Sequence, residues 1–258
     1  MRSPTPAEHA NPIGEVGSGS RYRARLAQSV PDIAAAQALR FQVFNLELNE
    51  GLLHSYESGL DADPFDAVCT HLLVEDEWSG TVVGTYRMQT GLQAGRNLGY
   101  YSEREFDFSL FEAFRPQILE LGRACIHRNH RNFSVLNLLW KGIAAYAHGH
   151  GARYLVGCSS LTSQDESVGA AAFCQLRPYL VAAEWQTLPR RDFACDLTKP
   201  ARDTVHIPRL LSAYLTLGAA ICGPPAIDRE FRTIDFLTWI DVESPRLVAM
   251  QRRGRFMA

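Results

Sequence analysis

Ile118-Leu119-Glu120-Leu121-Gly122-Arg123-Ala124-Cys125-Ile126 decides how this chain folds. It reads as an apolar strand whose interior holds an acid and a base, and both must be compensated for the hydration they lose. Charges three apart on a regular strand point to opposite faces, so Glu120 and Arg123 would not pair with each other. Asp63 and Asp66 are candidate partners for Arg123, and Arg40 or Arg87 for Glu120. Immediately downstream, Val135, Leu138, Leu139, Ile143 and Tyr146 recur at helical spacing within Ser134 to His148, ending at Gly149 and Gly151. Arg153 to Cys158 is then a second strand. Strand, helix and strand within about 30 residues form a crossover unit, which places both strands in one sheet.

The pattern extends outward on both sides. Tyr22 to Ala27 predicts a strand, and Ser29-Val30-Pro31-Asp32 a helix start with proline just inside it, continuing through Ile33, Ala36, Leu39, Phe41, Val43 and Phe44. A polar loop from Asn49 to Asp63 delivers Asp63 and Asp66 beside Phe65. His71 to Glu75 and Thr81 to Met88 predict an antiparallel pair around Trp78-Ser79-Gly80. An aromatic loop follows, from Tyr100 to Phe114. Beyond the crossover, the expectations are a helix over Ser167 to Leu176, a strand pair around Leu180 to Leu197 and a helix over Ile207 to Leu217.

A chain of 258 residues, 46% hydrophobic, fits one large domain. Residues 1 to 20, rich in Pro, Gly, Ser and Ala, read as a disordered leader lacking the apolar run of a signal peptide; 21 to 258 read as one domain with a C-terminal extension from about 203. A formal charge of -2 argues against a nucleic-acid partner. Six scattered cysteines without a C-x-x-C pair suit reduced core thiols in a cytosolic protein. Leu210 to Ala226 is apolar but broken at Gly218 and Gly223-Pro224-Pro225, shorter than the roughly 20 residues of a spanning helix.

Arg40, Asp63, Asp66, Arg87, Glu120 and Arg123 come from four segments with apolar surroundings, which suggests convergence on one cleft. Each taken singly reads equally as half of a structural ion pair. His127-x-x-His130 lacks a third metal ligand at convincing spacing, so no metal site is expected. Ser159-Ser160 lacks a hydrolase elbow, and a Cys125–His127 nucleophile pair is a minor alternative.

The order Arg40-Phe41-x-Val43-Phe44, Asp63-x-Phe65-Asp66, Val83-Gly84-x-Tyr86-Arg87 and Glu120-Leu121-Gly122-Arg123 resembles the signature of acyl-homoserine-lactone synthases, which are GNAT relatives using acyl carrier protein. Tyr101-Ser102-Glu103-x-Glu105-Phe106-Asp107, Asn137-Leu138-Leu139-Trp140-Lys141-Gly142 and Leu217-Gly218-Ala219-x-x-Cys222-Gly223-Pro224-Pro225-Ala226 resemble the ornithine lipid acyltransferases more closely. The resemblance runs from about Tyr22 to Asp241. It implies an α/β GNAT fold, a mixed, twisted central sheet flanked by helices. It also implies an enzyme moving a long acyl chain, with or without a 3-hydroxyl, to the α-amine of an amino acid, at the inner face of a bacterial cytoplasmic membrane.

In such enzymes the donor's phosphopantetheine lies between two splayed strands, and the pyrophosphate of coenzyme A sits on glycine-rich backbone at the next helix. The corresponding stretch, His130-Arg131-Asn132-Phe133-Ser134-Val135-Leu136, has no glycine. That favours acyl carrier protein, with one phosphate, over acyl-CoA; no permanently bound cofactor is expected. Carrier protein is acidic, and Arg128, Arg131, Ser134, Lys141 and Arg153 are its candidate contacts, Arg131 first for the phosphate. Glu120 is the candidate base, backbone N–H groups near Cys125 and Ile126 would polarise the thioester, and Arg40 or Arg87 would clamp the acceptor carboxylate. Tyr100, Tyr101, Phe106, Phe108, Phe111 and Phe114 either line an acyl tunnel, the reading adopted for part of them, or close the core. The alternatives are lactone synthesis and a non-catalytic acyl-carrier or lipid-binding module.

Overall fold

The computed structural model describes residues 21–198 and 204–252; the leader expected over 1 to 20 lies outside them. Strand β1 (Tyr22–Leu26) leads into helix α1 (Val30–Phe41), which starts on a reciprocal cap between Ser29 and Asp32, as its sequence predicts. The helix then widens into a π turn over Gln42–Glu47. After the short helix α2 (Ser55–Ser58), strands β2 (Thr70–Asp76) and β3 (Thr81–Thr90) form the expected antiparallel pair. Helix α3 (Gly91–Arg96) precedes the aromatic loop. The crossover is β4 (Ile118–Ile126), α4 (Phe133–Gly149) and β5 (Tyr154–Leu161), with β4 and β5 parallel. Helices α5 (Glu166–Leu176) and α6 (Arg209–Leu217) follow. Strands β6 (Ala220–Ile221), β7 (Ala226–Asp228) and β8 (Thr233–Asp241) and helix α7 (Pro245–Arg252) complete the described chain.

One mixed sheet runs β1-β2-β3-β4-β5-β8-β6, with β7 also on β8. The residues beyond 203, expected as an extension, thus supply three strands of the same sheet. Strand β8 pairs with all of β5, from Tyr154 opposite Asp241 to Leu161 opposite Ile234. Its sequence gave no strand signal because both its faces are buried, which erases the alternation of a half-exposed strand. Conversely, the strand pair expected around Leu180 to Leu197 is absent. That segment forms short 3-10 turns and single bridges, Phe106 to Pro189, Leu180 to Ile221 and Ala194 to Ala226. Pro189 cannot donate to a ladder, and no continuous alternation surrounds it.

The two faces of the sheet differ in chemistry. On one, Leu72, Val74, Tyr86, Met88, Leu119, Leu155 and Ile240 pack under α4 and α7 in the main core. Gly142 lets α4 approach, since a Cβ there would fall 2.7 Å from Leu72 Cδ1. The other face carries α1, the aromatic loop and nearly every buried charge.

Candidate functional site

The site begins with an irregularity in β4. Thr85 lies opposite Cys125 but Arg87 opposite Gly122, so two β4 residues, Arg123 and Ala124, oppose Tyr86 alone. Arg123 takes φ 50°, the left-handed conformation of a bulge residue. The bulge turns β4 away from β5, and their pairing covers only Ile118 to Glu120 against Tyr154 to Val156. Just past the last pair, a Cβ on Gly157 would fall 2.1 Å from the Leu121 carbonyl oxygen, so only glycine fits where the strands separate.

A cavity of about 300 Å³ occupies the gap. Strand alternation assigns its walls to both faces of the sheet. Leu155, Ser159 and Ile240 point to the side where Trp140, Leu211 and Tyr214 close an apolar end. Val156, Cys158, Ser160 and Asp235 point to the other side, with Tyr101, Ser102 and Asp228. The cavity therefore passes through the sheet, apolar on one face and polar on the other. A second cavity, of about 240 Å³, shares Tyr101 and Asp228 with it.

The bulge also overturns the opposite-faces expectation, since Glu120 accepts from the Tyr101 N–H while the Arg123 guanidinium lies 4.8 Å from the centre of the Tyr101 ring. Arg123 pairs with Asp63 at 3.0 Å, one of its expected partners, and with Asp61 at 3.3 Å. Arg87 pairs with Asp63 at 2.6 Å and Asp66 at 3.0 Å, and Arg40 with Asp66 at 2.6 Å and Asp61 at 2.8 Å. Burial alone would raise the Asp63 and Asp66 carboxyls, but the arginines hold both below the ordinary range. Arg40 is fully buried, with no surface left for an acceptor carboxylate. Arg87 keeps a place in the cavity wall.

Glu120 meets neither Arg40 nor Arg87. Its carboxylate accepts from Gln89 Nε2 at 2.6 Å and from the backbone N–H groups of Tyr101 at 2.9 Å and Ser102 at 2.8 Å. Oε2 takes two of these bonds and Oε1 one, so Oε1 retains an acceptor position. Phe106 is also placed otherwise than expected: with Tyr100, Phe108 and Phe111 it packs into a second core cluster, and of the aromatic loop only Tyr101 lines the cavity. Within that cluster Phe111 stacks on Trp239 with ring centres 5.0 Å apart.

Neither Cys125 nor Ile126 contributes a side chain to the cavity wall. The His127 N–H donates to the Val83 carbonyl at 2.8 Å, and the alternation of an antiparallel ladder then spends the Cys125 N–H on β3 and turns the Ile126 N–H to the opposite edge. On that edge the Ile126 carbonyl accepts from Arg131 Nε at 3.1 Å. Burial pushes the Cys125 thiol up, away from thiolate chemistry. Arg128, Arg131 and Ser134 are exposed around the start of α4, where Asn132 caps the Val135 N–H. Arg131 also reaches Glu47 at 2.5 Å. Arg153 does not join them: it lies at the far end of α4, about 25 Å of helix away, bound to Asp241 at 2.8 Å.

Four further acids went unread in the sequence. Glu50, Asp228 and Asp235 line the polar end of the cavity, and Glu105 adjoins them; carboxylate oxygens of Glu105, Asp228 and Asp235 lie within 4.8 Å of one another. All four are buried, and none has an arginine or lysine partner among the described residues. Burial pushes the Glu50 carboxyl up to about 7, with Thr162 opposing, and raises Glu105 and Asp235, each worsened by the acids beside it. Asp235, between Ile234 and Phe236, gave the same signal as Glu120, a charge inside an apolar strand; it was missed because β8 was.

Residues 39–141 match the family model described as an acetyltransferase (GNAT) domain. Among solved structures, an N-acyl amino acid synthase from uncultured soil microbes superposes with a TM-score of 0.53 at 11% identity, covering 86% of this chain and 90% of that one. The AHL synthase LasI gives 0.50 at 15% identity, covering 90% and 95%. At such identities they show the fold, and the fold is the one expected. An L-ornithine N(alpha)-acyltransferase of Brucella abortus is 35% identical over 90% of this chain and 87% of its own length. The L-ornithine N(alpha)-acyltransferase of Agrobacterium fabrum is 32% identical over 94% and 87%. Similarity on this scale, over a bulged strand, an opened sheet and a cavity threaded between them, makes the chain an acyltransferase with a GNAT domain and a member of the L-ornithine N(alpha)-acyltransferase family.

Proposed function

We propose that this acyltransferase moves a long fatty acyl chain from acyl carrier protein to the α-amine of ornithine, giving a lyso-aminolipid. The observation that carries the reading is the cavity itself, which offers an apolar end under Trp140, Leu211 and Tyr214 and an acidic end on the opposite face. An acyl chain suits the first and a cationic amino acid the second. The thioester would lie in the gap, its carbonyl oxygen toward the outward N–H of Ile126, and its phosphate toward Arg128, Arg131 and the start of α4. The glycine-free stretch from His130 to Leu136 supports a single phosphate, hence the carrier protein. Glu120, with Oε1 open, takes the proton of the attacking amine directly or through water; the amine nitrogen forms the amide bond as the C–S bond breaks and the thiol leaves. No described helix is long and apolar enough to cross a membrane. Exposed Leu46, Leu53 and Tyr56 support a peripheral contact at the inner face of the cytoplasmic membrane, where the product belongs.

The test is incubation of the purified protein with acyl-carrier-protein and acyl-CoA thioesters, with and without a 3-hydroxyl, against ornithine, lysine, glutamine and glycine, followed by mass spectrometry. N-acylornithine from the carrier donor is expected. Absence of an acylated amine under every pairing would overturn the reading, and efficient turnover from acyl-CoA alone would overturn the donor.

A further inference from the structure

We infer that the acidic end of the cavity, built by Glu50, Glu105, Asp228 and Asp235, binds the side-chain ammonium of a diamino acid and thereby sets which acceptor is used. The inference rests on the reading that the acceptor is an amino acid and goes further by naming the group that selects it. Its starting point is Asp235, which is 3% exposed and lines the cavity; Oδ2 accepts from Thr233 Oγ1 at 2.9 Å, whereas Oδ1 meets no donor, and the adjoining Glu105 carboxyl can share a proton with Asp235 but adds no positive charge. A buried carboxylate oxygen without a donor is costly unless a ligand supplies one. Around it the deficit is of positive charge. Glu50 has Thr162 Oγ1 at 3.2 Å, Asp228 Oδ1 accepts the backbone N–H groups of Glu230 and Phe231 at 2.8 Å each, and Glu105 has the Cys158 thiol at 4.0 Å. Every one of these donors is neutral.

The geometry favours an ammonium over a divalent ion. Three oxygens at ordinary N–H···O distance from a tetrahedral ammonium stand about 4.6 Å apart, which the 4.8 Å spread of the Glu105, Asp228 and Asp235 oxygens allows. Oxygens around magnesium or calcium crowd to roughly 3.0–3.4 Å, where the repulsion from neighbouring acids that already helps to raise the Glu105 and Asp235 carboxyls is stronger. The place also fits the chemistry. Strand pairing carries Glu120, Val156, Ser160 and Asp235 on one face, so a ligand whose α-amine meets Glu120 extends its side chain along the wall that ends in these acids. Arg123 is held by Asp61 and Asp63, and Arg104 and Arg229, which share the second cavity with Glu105 and Asp228, are held by Glu230 and Glu166, so the deficit stays in place.

The experiment compares ornithine with norvaline, which has the same carbon chain without the terminal ammonium. It reads kcat/KM for acylation and, independently, direct calorimetric binding of each amino acid to the protein without donor. The wild type is expected to prefer ornithine at least a hundredfold, and Asp235→Asn and Glu50→Gln, checked for folding by circular dichroism, to reduce that preference below tenfold. Equal acylation of the two by the wild type would overturn the inference while leaving acyl transfer standing. Failure to acylate any amino acid would overturn the proposed function, and the binding titration then decides alone: equal binding of ornithine and norvaline to the wild type overturns the inference, a preference sustains it. An ornithine preference unchanged in both variants, or magnesium, calcium or manganese binding that depends on Asp235 and displaces no ornithine, would overturn it as well.

Discussion

Arg40, Arg87 and Arg123 meet Asp61, Asp63 and Asp66 in equal number, whereas Glu50, Glu105, Asp228 and Asp235, on the same side of the sheet, meet no arginine or lysine among the described residues. The first group is closed and holds α1 and the loop before β2 against β3 and β4. The second lines a cavity without a countercharge, and burial there raises the carboxyls of Glu50, Glu105 and Asp235 above their ordinary range. Glu120 stands between these cases, a carboxylate hydrogen-bonded by N–H donors alone. A buried charge with its countercharge belongs to the architecture; one without it marks where something is still to bind.

The strongest way to break this contrast is Arg87→Met, which leaves Asp63 and Asp66 each short of a cation. A loss of about 3–5 kcal/mol in urea unfolding is expected, since a lone buried charge costs far more than the pair contributed; a loss under about 1 kcal/mol would place the network among ordinary surface pairs. Glu50→Gln should do the reverse. The folded state holds the Glu50 proton more tightly than the unfolded state, raising its carboxyl from 4.5 to about 7. Its burial is therefore without penalty below pH 4.5, becomes costly as pH rises towards 7, and costs about 3 kcal/mol above that. The melting temperature of the wild type should fall from pH 5 to 8 relative to the variant, and parallel curves would refute the assignment.

Glu120→Gln sharpens the intermediate case. Turnover should fall roughly a hundredfold, about 2.7 kcal/mol, in a protein that remains folded; unchanged kcat would remove Glu120 as the base. The smallest effect belongs to the exposed charges. Arg131→Ala should raise KM for the acyl carrier protein about threefold to tenfold with kcat unaltered, and an unaltered KM would reject its contact with the donor.

The arginines of the closed network were readable in the sequence because they sit in strongly patterned segments, an amphipathic helix at Arg40 and apolar strands at Arg87 and Arg123. Their pairing was not, since Arg40 and Arg87 were matched to Glu120 and in fact meet the aspartates. Of the network's members only Asp61 escaped, lying inside a polar loop where one more acid carries no signal. The crossover and its flanking antiparallel pair were readable for the same reason. The acidic end was not: Glu105 sits in an irregular loop, and Asp228 and Asp235 belong to strands buried on both faces, where periodicity disappears. The bulge at Arg123 was hidden too, because nothing in Leu-Gly-Arg-Ala states that the arginine, not the glycine, takes the left-handed turn. That single conformation is why the regular-strand argument, which placed Glu120 and Arg123 apart, failed.

The opening beside Gly157 has a bearing on turnover as well as on chemistry. Two substrates arriving from opposite faces of the sheet have no need to pass one another, and either can bind first. On the proposed reading their product is different: a molecule with its hydrocarbon tail on one face and its charged head on the other would be laced through the protein, and one end would have to be drawn through the gap before it could leave. Joining the halves would then be quick and unthreading slow, so that vesicles able to take up the tail would speed steady-state turnover while leaving the first turnover unchanged.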